Sequence, residues 1–347
     1  MPGWSPRTGS SNRGGAAQVV VVLLVIALVA GGAFLIFRGK GKPSDESVPG
    51  GPARPVVDKT SPAPVEKPAP APTGPVKPAD PVPVQPAAPT AAALAELDGL
   101  YNAQFLEEST KDRKQWETLR NRYSELLLKI DAPAERKPVV EKLNKLNEKV
   151  LFSRDYITAD SVAHKVEAGE TIEKIALDSG LPRDCSGSII RINRTSPLTI
   201  RQGESLKVIK PLKMDLRVSK KHLRLTAYLN GYFFGEFPVG IGMDDATPAG
   251  EFVVKDGGKD KNPNWTKTLE DGSKKVYKFG DPENILGTRW MGLDEKEGAV
   301  GLGIHGTTKD ETVPGRKSAG CIRMHNPDVE LLYDFTPSGT KVTISNN

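Results

Sequence analysis

Hydrophobic and polar residues follow four different patterns along this chain. Residues 19–37 are an unbroken apolar run. Nineteen such residues suffice to cross a bilayer as a helix, and the run has no polar face to suggest a soluble helix. Residues 91–129 change to three- and four-residue spacing, with Leu94, Leu97, Tyr101 and Phe105, then Trp116, Leu119, Tyr123, Leu126 and Leu127. That spacing predicts helix. Pro133 and Pro138 interrupt it, and Val140, Leu143, Leu146 and Val150 predict a second helix, closing a helical hairpin or small bundle over 91–152. Its apolar face predicts packing on itself or on a neighbouring domain.

Residues 163–211 read as strand, helix, helix, strand. Lys165 and Val166 open the unit, Thr171 caps a helix with Ile172, Ile175 and Ala176, a second helix carries Ile189, Ile190 and Ile192, and Gly203 precedes a strand from Leu206. From residue 213 onward the alternation has period two: Leu216 and Val218, then Leu223, Leu225, Ala227 and Leu229, as half-buried strands require. Asn230-Gly231 predicts a tight hairpin turn. Further strands are expected at 251–255, 300–305, 321–324 and 341–344. Asn326-Pro327-Asp328 reads as a helix start, with a cap, a first-turn proline and an acid near the positive end; Val329, Leu331, Leu332 and Phe335 follow. The expected fold is therefore mainly β, a β-sandwich with one or two helices.

Composition changes this picture in one place. Of 29 prolines, 15 lie between Pro43 and Pro89. Residues 43–90 cannot bury a core and favour extended polyproline II, which at about 3.1 Å per residue reaches up to ~150 Å. They read as a spacer between an N-terminal tail (1–18) with its membrane span and the modules that follow. A cleaved signal sequence competes with the anchor reading, but Val29-Ala30-Gly31-Gly32-Ala33 is a weak cleavage site. A net charge of +5 is mild, and no basic stripe carries interleaved aromatics, which argues against nucleic acid as a partner. Metal-ligand spacings of Cys and His are absent, so no metal site is expected.

The candidate chemistry lies near the C-terminus. Gly303-Ile304-His305-Gly306-Thr307 precedes Ser318-Ala319-Gly320-Cys321-Ile322-Arg323-Met324, placing one histidine sixteen residues before one cysteine. A thiol is a strong nucleophile only as thiolate, and a neighbouring imidazole can take its proton. His325 is a rival base by parity. The other thiol, Cys185, reads as an incidental core or loop residue; a Cys185–Cys321 disulfide would abolish the nucleophile.

The His305 and Cys321 runs, together with Asn230-Gly231, Val239-Gly240, Gly242, Thr247-Pro248, Gly250, Phe252, Asn262-Pro263, Trp265 and 286–290, resemble the landmarks of the YkuD-type L,D-transpeptidase catalytic domain in order. The resemblance covers nearly all of 213–347. It implies Cys321 as nucleophile, His305 as general base, and the Gly306 carbonyl as the group that orients the imidazole. Backbone N–H groups around Gly320 and Cys321 would form the oxyanion hole, Arg323 would position substrate or loop, and Ser318 would bond within the turn. Ala319 stands where many members have histidine, which removes a donor.

Residues 164–210 resemble the LysM fold, through Val166, Gly169, Thr171-Ile172, Ile175-Ala176, Gly203, Leu206 and Val208; residues 181–188 depart from it. That resemblance implies glycan binding, with contact residues unassigned. Together the two imply a cofactor-free peptidoglycan enzyme. Cys321 would take an acyl group from a stem tetrapeptide, release D-alanine, and pass the acyl group to a neighbouring stem amine as a 3-3 cross-link. Carbapenem β-lactams would be inhibitors. Both modules place the chain outside the cytoplasm, against the slight lean of Arg38, Lys40 and Lys42 beside the span. Water as acceptor would make an L,D-carboxypeptidase, a protein amine would make an anchoring ligase, and an inactive domain would be a glycan-binding tether.

Overall fold

A computed structural model describes residues 88–106, 112–296 and 299–347. The apolar run 19–37 and almost all of the Pro-rich stretch lie outside these. Among the described residues no helix is long and apolar enough to cross a membrane.

Helix α1 (Ala88–Leu100) continues into a π-helical turn, Tyr101–Leu106, and is followed by α2 (Arg113–Leu127) and α3 (Pro133–Val150). The three- and four-residue stripe is the buried face: Leu97, Tyr101, Phe105, Trp116, Leu119, Tyr123, Leu127, Leu143, Leu146 and Val150 form one cluster. The prolines do not separate the helices as expected. Pro133 lies in the first turn of α3, where its missing N–H would be unpaired anyway, and Pro138 sits inside the helix, which tolerates the lost bond.

The next unit runs β1 (Ser161–Lys165), α4 (Ile172–Asp178), α5 (Gly187–Asn193), β2 (Ser205–Ile209). Its strands pair antiparallel from Ser161↔Ile209 to Lys165↔Ser205. The Thr171 side chain accepts the Lys174 N–H and caps α4. Lys207 on β2 is almost fully buried, with its ammonium donating to the carbonyls of Val150 at 2.7 Å and Leu151 at 3.2 Å. It thus satisfies the end of α3, and burial lowers its pKa to about 8.

The C-terminal region contains β3 (Met214–Ser219), β4 (Arg224–Leu229), β5 (Tyr232–Pro238), β6 (Gly240–Gly242), β7 (Gly250–Lys261), the hairpin β8 (Trp265–Thr268) and β9 (Lys274–Tyr277), β10 (Arg289–Leu293), β11 (Gly303–His305), β12 (Gly315–Ser318), β13 (Ile322–Arg323), α6 (Asn326–Phe335) and β14 (Lys341–Ser345). Asn230 and Gly231 both have positive φ, 52° and 89°, as the β4–β5 turn needs. The strand order is β12-β6-β13-β11-β10-β7-β14-β3-β4-β5. The two layers expected of a sandwich are therefore one curled sheet. The twelve-residue strand β7 pairs with β14 at its start and with β10 at its end, and the register shift between Met291 and Leu293 lets it turn the corner. Leu216, Val218 and Leu225 from one half and Met291, Ile304 and Ile322 from the other share a core with Val329, Leu332 and Phe335 of α6.

The edge strand β5 would be an open template for pairing, and the helical bundle covers it. Asn147 donates to the carbonyls of Phe233 and Phe234 at 3.1 Å, and the Ser124 hydroxyl accepts the Phe233 N–H at 3.0 Å. Tyr228 and Phe233 join the bundle's own apolar cluster.

Candidate active site

Four neighbouring strands set the site. Asp260 on β7 is in register with Trp290 on β10, Trp290 with His305 on β11, and His305 with Arg323 on β13. Residues in register point to the same face, with strands about 4.8 Å apart, so these four side chains form a row across the sheet. Cys321 lies two residues before Arg323 and joins that face one pleat away. Ile304, just before His305, and Ile322, between Cys321 and Arg323, are fully buried on the core side. His305, Ser318, Ala319, Cys321 and Arg323 all line one cleft of about 570 Å³, walled by Pro263, Asn264 and Trp265 of the segment leading into β8 and floored by Trp290.

His305 is buried. Its Nδ1 lies 2.6 Å from the Gly306 carbonyl. A carbonyl only accepts, so Nδ1 carries the proton, and in the neutral ring Nε2 is the nitrogen with the lone pair. Trp290 stacks on the imidazole, with ring centroids 5.8 Å apart. A Cβ on Gly303 would come within 2.5 Å of that indole, which is why the residue two before His305 has no side chain. Burial lowers the His305 pKa to about 4, and the Arg323 charge acts in the same direction against the raising bonds from Gly306 and Leu286. The imidazole is therefore neutral at neutral pH.

Burial raises the Cys321 thiol, while the Gly303 N–H and the Arg323 charge pull it back. Its S–H points to the Gly301 carbonyl at 3.5 Å. The Nε of Arg323 is buried with no hydrogen-bond partner among the described residues.

The turn before Cys321 is held from two sides. The Ser318 hydroxyl donates to the Cys321 carbonyl at 2.7 Å and accepts the Gly320 N–H at 3.1 Å. Gly320 has φ 141°, and its carbonyl accepts the hydroxyl of fully buried Thr247 at 2.6 Å. Thr247 also accepts the Gly242 N–H at 2.7 Å. The Gly320 N–H, expected among the oxyanion donors, is thus already occupied. Ala319 is exposed at the cleft rim.

His325 pairs with Asp310 at 3.1 Å and does not line the cleft. Cys185 and Cys321 are both free thiols. Asn326 also departs from expectation. His325 is the N-cap of α6, without a side-chain capping bond, and the Asn326 side chain serves the loops beside His305 instead. Nothing in the linear pattern distinguishes it from a cap; only the fold brings its Oδ1 against Gly287 and Gly306.

The family model for the L,D-transpeptidase catalytic domain, YkuD, matches residues 214–344. YqjB of Bacillus subtilis (strain 168), named as an L,D-transpeptidase, is 40% identical over 133 residues, covering 38% of this chain and 70% of its own length. YkuD of the same organism, named likewise, is 27% identical over 192 residues, covering 53% of this chain and 99% of its own. The crystal structure of L,D-transpeptidase 3 from Mycobacterium tuberculosis aligns over 41% of this chain and 65% of that one, with 15% identity and a TM-score of 0.32. The chain belongs to the YkuD L,D-transpeptidase family, and its activity is that of a peptidoglycan L,D-transpeptidase.

Proposed function

We propose that Cys321 and His305 carry a two-step acyl transfer between peptidoglycan stems. The observation that supports this most is the His305 tautomer: a buried imidazole whose Nδ1–H is held by Gly306 leaves Nε2 as the proton acceptor, and the ring stands on the face of the sheet that carries Cys321. The Cys321 proton moves to Nε2. The thiolate adds to the carbonyl of the L-centre of the third residue of a donor tetrapeptide. The C–N bond to D-alanine then breaks, and the imidazolium returns its proton to the leaving amine. A side-chain amine of a second stem attacks the thioester, His305 removes its proton, and the C–S bond breaks to restore the thiol and leave a 3-3 cross-link.

With the Gly320 N–H engaged, the oxyanion donor is the N–H of Cys321 itself. Arg323, whose Nε lacks a partner among the described residues, suits the free carboxylate of the donor terminus. No metal or organic cofactor enters this scheme. A carbapenem, whose strained amide is an acyl donor of the same kind, would trap Cys321 as a thioester. Water or a protein amine as acceptor would turn the same intermediate to hydrolysis or anchoring.

The βααβ unit at 163–211 is read here as a LysM-type glycan-binding module, a reading that its element order and the residues quoted above support. The apolar run 19–37 would anchor the chain in the cytoplasmic membrane and 43–90 would extend the enzyme outside it. Tethering of this kind raises the enzyme's effective concentration at the wall.

Intact mass of the full chain after exposure to a carbapenem tests the chemistry. A covalent adduct on the unaltered protein and none on Cys321→Ala is expected. An adduct of equal yield on both would remove Cys321 from the mechanism. Release of D-alanine from a disaccharide tetrapeptide, with dimer formation read by mass, then separates cross-linking from hydrolysis.

A further inference from the structure

We infer that Asn326 is a positioning residue for the general base, acting on His305 through the peptide group between Gly306 and Thr307. This rests on the reading of His305 as the base. The Gly306 carbonyl that receives His305 Nδ1–H and the N–H of Thr307 belong to one planar peptide group. Asn326 Oδ1 accepts that N–H at 3.2 Å, and its Nδ2 donates to the Thr307 carbonyl at 2.8 Å. The amide therefore grips Thr307 at both backbone groups and fixes the plane whose other side holds the imidazole.

Oδ1 also accepts the Thr288 N–H at 3.1 Å, which ties in the loop ahead of β10 and so Trp290, the residue stacked on the imidazole. Close approach is needed to do this. A Cβ on Gly306 would lie 2.2 Å from Asn326 Oδ1, and one on Gly287 would lie 2.3 Å from it. Two glycines thus make room for a single oxygen. Asn326 never touches substrate space; it sits behind His305, at the start of the helix that follows the nucleophile strand. The arrangement couples α6 to the tautomer of the base. In enzymes where a carboxylate holds the imidazole, the charge itself orients the ring; a neutral carbonyl can do so only if the peptide cannot rotate, and Asn326 supplies that restraint.

The experiment compares full-length protein with Asn326→Leu, which keeps volume and loses both bonds, and Asn326→Asp, which keeps the acceptor for the Thr307 N–H. Two quantities are read: the His305 tautomer, from the imidazole nitrogen shifts of ¹⁵N-histidine-labelled protein assigned with His305→Gln, and the rate of Cys321 acylation by a carbapenem. Expected are a single Nδ1–H tautomer in the unaltered protein, a tautomer mixture with at least tenfold slower acylation in Asn326→Leu, and recovery of the tautomer in Asn326→Asp. A folded Asn326→Leu with the single tautomer and unchanged rate overturns the inference, as does Asn326→Asp with the same tautomer mixture as Asn326→Leu. If the leucine variant does not fold, the aspartate variant decides alone: a retained Nδ1–H tautomer supports the relay, and a mixed one overturns it. Loss of the underlying base assignment shows separately, as unimpaired acylation in His305→Gln.

Discussion

Cys185 and Cys321 both lie where burial raises a thiol's pKa, yet their surroundings differ in kind. Cys185 is fully buried among the residues joining the βααβ unit to the catalytic sheet, and its pKa is pushed up to about 12 despite the nearby Lys259 charge. Lys259 is spent on other partners: Asp184 at 2.7 Å and the carbonyls of Tyr333 at 3.0 Å and Thr336 at 2.6 Å. Cys321 opens onto a cleft and shares its sheet face with an imidazole whose lone-pair nitrogen is fixed. A cation near a thiol does not make it reactive; access and a proton acceptor of defined tautomer do.

Residues 181–188 belong to the same junction as Cys185. Asp184 and Cys185 face Lys259, and a Cβ on Gly187 would meet the Asp334 carboxylate at 2.4 Å. Arg191 on α5 pairs with that same Asp334 at 2.6 Å. This stretch is shaped for docking on α6 and β7.

Replacing the two thiols breaks the comparison most sharply. Cys321→Ala should lower carbapenem acylation by more than about a thousandfold, measured by intact mass against time, while Cys185→Ala should leave that rate within about twofold. Next in size is the base: His305→Gln should cost on the order of 10²–10⁴ in acylation rate with the fold intact.

Protonation of His305 has a stability signature as well. Its folded pKa of about 4 lies below the ordinary 6.5, so the unfolded chain binds more protons between those values. Its contribution is present above about pH 6.5, declines as pH falls, and is lost through pH 4, a total of about 3 kcal/mol. Denaturant titrations from pH 7 to 4 should show that slope, and His305→Gln should flatten it.

The junction should respond in the opposite sense to the cleft. Lys259→Met leaves Asp184 and two carbonyls without their donor and should destabilise by about 3 kcal/mol, read as a lower urea midpoint, with acylation by the folded protein nearly unchanged. The smallest effect is a selectivity: iodoacetamide at pH 8 should label Cys321 in native protein and Cys185 only after unfolding, as peptide mapping would show.

Much of this molecule was legible as periodicity. The stripe from Leu97 to Val150 marked the bundle's buried face, and the alternation after Met214 marked strands, because burial imposes period 3.6 on a helix and period two on a strand. Boundaries were less legible. Pro133 and Pro138 read as breaks because the sequence does not show that a first-turn proline costs nothing and that packing outweighs one lost bond. Asn326 read as a cap because its local context suits one, and its actual partners, Thr288 and Thr307, are 38 and 19 residues away.

The sequence by itself determined the helices and the longer strands, though not β6, β8, β9, β10 or β12, and it determined the thiol and imidazole as candidate chemistry, and the family, since each rests on residue type and spacing within a short window. Tertiary structure alone decided that the two layers are one curled sheet, that Asp260, Trp290, His305 and Arg323 fall in one row, and that Gly320 has no N–H to spare. These depend on strand order and register, which are set by pairing between segments distant in the chain and by the close packing that admits only one arrangement of them.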